Sequence, residues 1–217
     1  MPPFTIHTKA RMGSTSMELT ISALSPDEKY ALISDCVVPR PIAWINTQST
    51  SGIVNVAPFS YFNIVSNEPM IVSVSINRRH DNALLKDTAR NILQTGECVV
   101  HLPSRGHAPQ VNASAASFAP NESEATALGL ALTPSTAVKP PRLADCGIAL
   151  ECRLHMHVEV GDPVVADLIL LEVIHLGVAD DLLRDGRVHP EPLDPLSRLG
   201  GPDYAVVGER FIIQRPK

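Results

Sequence analysis

The sequence predicts a mainly β fold with peripheral helices, arranged as a closed or partly closed antiparallel barrel. Runs rich in β-branched residues outnumber the helical segments. The two longest runs, 148–160 and 165–178, are joined by Gly161-Asp162-Pro163, which is typical of an antiparallel hairpin. The long alternation of strands and helices that characterises a doubly wound parallel sheet is missing, so the antiparallel barrel is favoured.

The first elements predicted are a helix and three strands. Ser25 can cap a helix that begins at Pro26, Glu28 can complete a capping box, and the helix is expected to end near Ser34. Strands follow at 41–48, 53–57 and 70–76, and the turn signal Ser49-Thr50-Ser51-Gly52 joins the first two. Pro58 is expected to end or bulge the second strand, because proline has no N–H to give to a ladder.

Helices and strands are also predicted over the remainder of the chain. Apolar residues recur at helical spacing over 83–94, and Gly96 fits just past the end of that helix. Further elements are expected as a strand at 97–102, weak helices at 110–116 and 122–128, the long hairpin, and a last strand at 204–213.

Length and charge limit the classes of function. With 217 residues, the chain fits a single domain over 17–217 that follows a disordered tail at 1–16. A formal net charge of −5 argues against a large nucleic-acid footprint and against attachment to a membrane by a basic surface. The longest apolar stretch, 164–178, contains Asp167, Glu172 and His175, so no transmembrane helix is predicted.

The cysteines indicate a reducing environment. Cys36, Cys98, Cys146 and Cys152 form no CxxC pair, which argues against zinc-finger and thioredoxin-like sites. Each lies among apolar neighbours, so we expect reduced, buried thiols. This usage predicts a cytoplasmic location.

Candidate binding residues are concentrated between Arg40 and Thr88. Around 55–63, small residues leave the backbone open, and Asn55, Ser60 and Asn63 supply polar groups. A flat heteroaromatic ring needs such a smooth platform with polar groups at its edge, although a bulged strand end would have the same composition.

A second candidate is the loop that runs into the helix containing Thr88. The N-terminus of a helix attracts phosphate, and Lys86, Thr88 and either Arg78 or Arg79 could add charge-assisted hydrogen bonds. The alternative is an ordinary solvated loop, since no glycine-rich phosphate loop is present.

Several blocks together resemble one known family. They are VVPRPIAWINT, SGIVNVAPFSYFN, SNEPMIVSVSINRR, KDTARNI, TGECVVHL, PPRLADCGIALECRL and DPLSRLGGPDYAVVGERF. In these blocks the chain is similar to the flavin reductase-like, FMN-binding split-barrel family, in its flavoredoxin-like branch. The resemblance covers nearly the whole chain after the tail.

The resemblance implies a six-stranded antiparallel split barrel, a homodimer, and FMN bound in a groove near the subunit interface. The residues it implies at the ring and ribityl parts are Thr47, Asn55, Ala57, Pro58, Phe59, Ser60 and Asn63. Those implied at the phosphate are Ser75, Arg78, Lys86 and Thr88, and the choice between Arg78 and Arg79 stays open. Leu171 departs from the family pattern, which leads us to expect a glycine there.

The function implied is transfer of hydride from NADH or NADPH, through bound FMN, to free flavin, a protein partner or a small acceptor. No catalytic side chain is assigned, because hydride transfer to flavin requires no acid–base pair. A non-enzymatic electron carrier of the same fold is the main alternative. A metal-dependent barrel enzyme using His155 and His157, which share a strand face, is a further alternative.

A hydrolase is disfavoured by the sequence. His101 and Ser104 lie close together near the end of a predicted strand. The chain has no GxSxG motif, which would place a nucleophilic serine on a strained turn.

Overall fold

A computed structural model describes residues 18–79, 82–119 and 121–216. The predicted tail at 1–16 lies outside the described residues. In the described part, the α-helices are α1 (Pro26–Cys36), α2 (Asp87–Thr95), α3 (Ala108–Ala113), α4 (Glu124–Ala127) and α5 (Pro190–Leu193). Short 3-10 helices occupy Ile21–Ala23, Arg105–His107 and Asp180–Leu182. None of these helices is long and apolar enough to cross a membrane.

The strands of the described residues are β1 (Arg40–Pro41), β2 (Ala43–Gln48), β3 (Val54–Phe59), β4 (Phe62–Asn67), β5 (Met70–Asn77), β6 (Glu97–His101), β7 (Leu132–Thr133), β8 (Arg142–Leu143), β9 (Ile148–Val160), β10 (Ala166–Val178), β11 (Leu183–Arg184), β12 (Arg187–Val188), β13 (Ser197–Arg198) and β14 (Tyr204–Ala205).

Seven of these strands form one antiparallel sheet in the order β3-β2-β6-β9-β10-β5-β4. Its two end strands, β3 and β4, are connected by Ser60 and Tyr61 alone. Because two residues span only a few ångströms, the ends of the sheet must lie side by side, and the sheet curls into a barrel. No ladder joins β3 to β4, so the barrel is split there. The predicted split-barrel class is confirmed, with one strand more than the six implied.

The interior of the barrel is a single apolar core. Ile45, Val74, Val100 and Ile169 come from four different strands, and each is fully buried. Helix α2 completes this core with Ala89 and Ile92. Leu171, where a glycine was expected, is fully buried in the same core.

A second apolar cluster covers the outer face of β2 and β3. Trp44 and Val56 pack there with Val111 of α3 and Ala125 of α4. The Trp44 Nε1–H donates to Ser114 Oγ at 2.9 Å, which satisfies the buried indole. The segment that carries α3 and α4 therefore packs against the hairpin of β2 and β3.

The predictions that rest on signals within a few residues of sequence are confirmed. Ser25 and Glu28 form the expected capping box at α1. Gly96 follows α2 with a φ of 74°, a left-handed conformation that glycine adopts without strain. The long hairpin is also as predicted, and β9 spans the predicted residues.

Other expectations are wrong. Pro58 does not end its strand, because β3 lies at the edge of the sheet, where a missing N–H is tolerated. The helix expected from Ala83 begins at Asp87, and Ala83 has a φ of 55°. Strand β4 was not predicted. Cys36 is exposed, whereas the other three cysteines are buried, and all four are free thiols.

The last strand is shorter than the sequence indicates. Only Tyr204–Ala205 is a strand, and the chain from 206 to 216 has no regular structure. Phe211 and Ile212 are 80% and 89% exposed. A β-forming sequence becomes a strand only where an edge is available to pair with it, and none is paired with this segment in the described part of the chain.

Candidate functional site

The two segments expected to bind one ligand lie side by side. Thr88 in the first turn of α2 donates its Oγ1–H to Asn55 Oδ1 of β3 at 2.7 Å. The Lys86 ammonium lies 6.0 Å from the centroid of the Phe59 ring. The end of the first hairpin therefore adjoins the N-terminus of α2, although the two are separated by about thirty residues of sequence.

Three of the residues expected to contact the ligand, Thr47, Asn55 and Thr88, take part in a buried polar network. Thr47 and Thr88 both donate their Oγ1–H to Asn55 Oδ1, at 3.3 and 2.7 Å, and Asn91 Nδ2–H donates to Thr47 Oγ1 at 3.0 Å. All four residues are buried. These side chains hold β2, β3 and α2 together, and Asn91 Oδ1 is the one buried polar atom among them with no hydrogen-bond partner.

Glu124 of α4 completes this network, and the sequence analysis missed it. Its carboxylate accepts from Asn55 Nδ2 at 2.6 Å and from the Val56 N–H at 3.0 Å. Burial raises the pKa of Glu124, although both hydrogen bonds oppose the change. Ser123 is a sequence signal for the start of α4, because its side chain caps the helix and so places Glu124 in the first turn. No local pattern in the sequence, however, indicates that α4 packs on β3.

The N-terminus of α2 carries positive charge. Lys86 is the N-cap residue, and its side chain makes no capping hydrogen bond. Burial and the positive charge of Arg79 lower the pKa of Lys86. Arg79 pairs with Asp87 at 2.7 Å, and Arg90 pairs with the same carboxylate. Since the first N–H groups of a helix have no intrahelical partner, this end is suited to an anion.

Arg78 faces away from this cluster and towards the long hairpin. Its Nε and Nη2 donate to Asp167 at 3.1 Å each, and Nη2 also donates to Glu159 at 2.5 Å. His157 Nε2 lies 2.8 Å from the same Asp167. Burial would raise the pKa of Asp167, but the hydrogen bonds from Arg78 and His157 bring that pKa below its ordinary value.

The remaining predicted residues are dispersed along the strands. Ala57 and Phe59 face the barrel core, and Pro58 is half-buried. Ser60 Oγ accepts from Arg40 Nε at 3.4 Å. Asn63 is exposed on β4, and Ser75 points away from the core, because its neighbours Val74 and Ile76 point into it.

The histidines considered earlier lie in different environments. His155 is exposed, whereas His157 bonds to Asp167, and residues 18–79, 82–119 and 121–216 contain no group of three or more side chains suited to a metal. His101 is fully buried and bonds to the Trp44 carbonyl and the Leu143 N–H. Ser104 bonds to His107 rather than to His101.

Comparison with known proteins shows the family to which the chain belongs. The model of the flavin reductase like domain matches residues 34–193. The chain is 41% identical to an uncharacterized protein of Halalkalibacterium halodurans over 92% of this chain and 97% of that protein. The chain therefore belongs to the flavin reductase-like domain family.

Solved structures share the fold. Nitrilotriacetate monooxygenase component B from Bacillus cereus is 34% identical, with a TM-score of 0.88 over 92% of this chain and 100% of that one. The 2-nitrobenzoate 2-nitroreductase NbaA of Pseudomonas fluorescens is 30% identical, with a TM-score of 0.83 over 92% and 96%. Flavoredoxin of Desulfovibrio vulgaris is 22% identical and shares the fold at a TM-score of 0.70 over 82% and 91%.

Proposed function

We propose that this chain is an FMN-dependent oxidoreductase that takes hydride from NADH or NADPH and passes electrons to free flavin or another small acceptor. The observation that carries this proposal is the meeting of the 55–60 segment with Lys86 and Thr88 in a member of the flavin reductase-like family. Redox chemistry is supported by two relatives, one a monooxygenase component and the other a nitroreductase.

The residues present fit the phosphate of FMN. No carboxylate among the described residues forms an ion pair with Lys86, and its lowered pKa reflects burial and a neighbouring positive charge. An added anion would relieve both effects, and Arg79 and the first N–H groups of α2 would support it. Of the two arginines left open by the sequence, Arg79 is beside Lys86, whereas Arg78 is paired with Asp167 and Glu159.

The ring would lie along the 57–60 segment, where small Ala57 and Pro58 leave the backbone accessible. When bound, the flavin supplies the redox chemistry, because it can accept a hydride and release electrons singly or in pairs. The buried network of Thr47, Asn55, Thr88 and Glu124 then acts by positioning: it fixes β3 against α2, so that the ring platform and the phosphate end keep a constant separation.

Lys86→Met tests the placement of the phosphate. Loss of one charge-assisted contact should weaken FMN about tenfold to a hundredfold and leave riboflavin, which has no phosphate, nearly unchanged. Lys29→Met, at an exposed lysine of α1, is the matched control. Arg78→Lys should change the affinities for FMN and for riboflavin by no more than about twofold, because Arg78 is already paired with Asp167 and Glu159. Equal weakening of FMN and riboflavin by Lys86→Met would contradict the placement.

Enzymatic activity is tested separately from binding. Steady-state oxidation of NADH and of NADPH with excess FMN should show turnover with at least one nicotinamide. A protein that binds FMN but oxidises neither is an electron carrier of the flavoredoxin type. A protein that shows no flavin absorbance, and none after incubation with FMN, would overturn both.

We also propose that the protein is a homodimer. One concentration of exposed apolar side chains lies on β4, at the start of β5 and on the distal half of β9. They are Ile64, Val65, Met70, Met156, Val158 and Val160, which are between 42% and 77% exposed. Such concentrations on the surface of a soluble protein commonly mark an interface. The homodimer is therefore expected to use this apolar surface.

A further inference from the structure

Arg40, the first residue of β1, is a buried positive charge at the end of the proposed flavin platform. The residue is only 7% exposed. Its Nε lies 3.4 Å from Ser60 Oγ, and its Cζ lies 5.9 Å from the centroid of the Tyr61 ring. Ser60 and Tyr61 form the connection between β3 and β4, and Ser60 ends the 57–60 segment along which the ring is proposed to lie. This charge is therefore in contact with the segment that would carry the flavin.

Backbone carbonyls hold the guanidinium of Arg40 in place. Nη1 donates to the Ser34 carbonyl at 2.5 Å and to the Val37 carbonyl at 2.7 Å, both at the C-terminal end of α1. Nη2 donates to the Leu199 carbonyl at 2.8 Å, just after β13. A separation of 3.4 Å is long for a hydrogen bond, so these three carbonyls, rather than Ser60, fix the position of the charge.

The positive charge of Arg40 is solvated by these dipoles without being neutralised. A guanidinium stays protonated in proteins. No carboxylate among residues 18–79, 82–119 and 121–216 forms an ion pair with Arg40. Asp35, the residue after Ser34, is exposed, and its carboxylate lies against Gly200, where water screens its charge.

Other arginines of the fold are neutralised in pairs. Arg78 bonds to Asp167 and Arg142 bonds to Glu151, and both of these carboxylates are fully buried. Such pairing is the usual way in which a protein compensates a buried charge. Arg40 has only carbonyl groups for compensation, so its field reaches neighbouring groups with little cancellation, and the low dielectric of the interior lengthens its range.

We propose that Arg40 stabilises the reduced form of bound FMN by acting as a fixed positive charge beside the ring platform. A hydride brings negative charge to a flavin ring, and charge near the ring tunes the electronics of the cofactor. Preorganised charge of this kind needs no rearrangement during the reaction. The inference rests on the proposed function, because it requires FMN to lie along the 57–60 segment. Arg40 acts through its field, so it is a positioning residue rather than a catalytic one.

The test is the reduction potential of FMN bound to the full-length wild type, Arg40→Lys and Arg40→Met. Methionine removes the charge, whereas lysine keeps it but lacks the planar fork that bonds to three carbonyls. In Arg40→Met, the preference for reduced over oxidised FMN should fall about tenfold or more, which lowers the potential of this two-electron couple by about 30 mV or more. In Arg40→Lys, that preference should stay within about threefold of the wild type.

A purely structural role predicts a different pattern. Both variants lose hydrogen bonds to the carbonyls of Ser34, Val37 and Leu199, so both should unfold at lower urea concentrations than the wild type in the absence of flavin. Only the loss of the charge should move the reduction potential. The two measurements therefore separate the packing role of Arg40 from its electrostatic role.

Arg105→Met is the matched control for net charge. The Arg105 side chain is 67% exposed and pairs with Asp194, so water and a carboxylate already offset its charge. The reduction potential of FMN bound to Arg105→Met should equal that of the wild type.

Two outcomes would overturn the role of Arg40. One is the same potential in the wild type and in folded Arg40→Met, and the other is an equal shift in Arg40→Lys and Arg40→Met. If Arg40→Met does not fold, the wild type decides: it should bind reduced FMN more tightly than oxidised FMN, and an equal or reversed order would overturn the proposal. A wild type that binds FMN and oxidises a nicotinamide but fails these tests leaves the proposed function standing, whereas one that binds no FMN overturns both.

Discussion

The fully buried His101 gives a prediction about pH. His101 joins β2 to β8 through hydrogen bonds to the Trp44 carbonyl at 3.1 Å and the Leu143 N–H at 2.9 Å. A ring that accepts from an N–H must leave that nitrogen unprotonated, so the imidazole is neutral, with its proton on Nδ1. Burial lowers the pKa of His101 from 6.5 to about 4, and the hydrogen bond to Trp44 opposes this only in part.

The size of the effect on stability follows from the difference between the pKa of His101 in the folded state and its pKa in the unfolded state. Because the unfolded chain takes up the proton more readily, stability is complete above about pH 6.5 and is lost as the pH falls towards 4. One pKa unit corresponds to about 1.4 kcal/mol, so the whole window represents about 3 kcal/mol, of which about 2 kcal/mol is lost by pH 5.

The assay is urea denaturation of the wild type and His101→Gln at pH 7.5 and pH 5. The variant should be less stable at pH 7.5, because glutamine does not reproduce both hydrogen bonds, and the difference should shrink by about 2 kcal/mol at pH 5. His155→Gln, at an exposed position on the hairpin, controls for the substitution itself. A difference between wild type and His101→Gln that is the same at both pH values would refute a neutral buried imidazole.

Two further predictions concern the long hairpin. Asp167→Asn should lower the free energy of unfolding by about 1–3 kcal/mol at pH 7, because the buried carboxylate accepts from Arg78 and His157. Since the pKa of Asp167 is lowered, the difference in free energy of unfolding between wild type and variant should diminish as the pH falls below about 4. Denaturation curves that give the same difference at every pH would contradict the ion pair. Val158→Lys should shift the protein towards monomer in light scattering, whereas Val207→Lys, equally exposed but outside the apolar surface, should not. An unchanged mass for Val158→Lys, or a monomeric wild type, would count against the proposed interface.

The parts of the fold that could be predicted are those with local causes. The capping box of α1 depends on two residues three positions apart, and Gly96 ends α2 because its own φ is positive. The hairpin of β9 and β10 is signalled by two β-branched runs and the turn between them. In the candidate site, the proximity of Thr88 and Asn55 followed only from the family resemblance, because no local rule connects residues so far apart in sequence.

The parts that could not be predicted depend on which segments meet. Arg78 is predicted at the phosphate from its position in a basic loop and from the family resemblance, and its pairing with Asp167, 89 residues later in the chain, appears only in three dimensions. The same holds for the contact between Glu124 and Asn55.

The sequence by itself determined the β-rich class, the family, and the element ends that have local signals, such as the start of α1 and the end of α2. These follow from periodicity, turn chemistry and motifs that act within a few residues. Only the tertiary structure decided which polar groups are available to a ligand and which are used internally. The reason is that a hydrogen-bond donor has a limited number of bonds to give, and its partners are set by packing between distant segments.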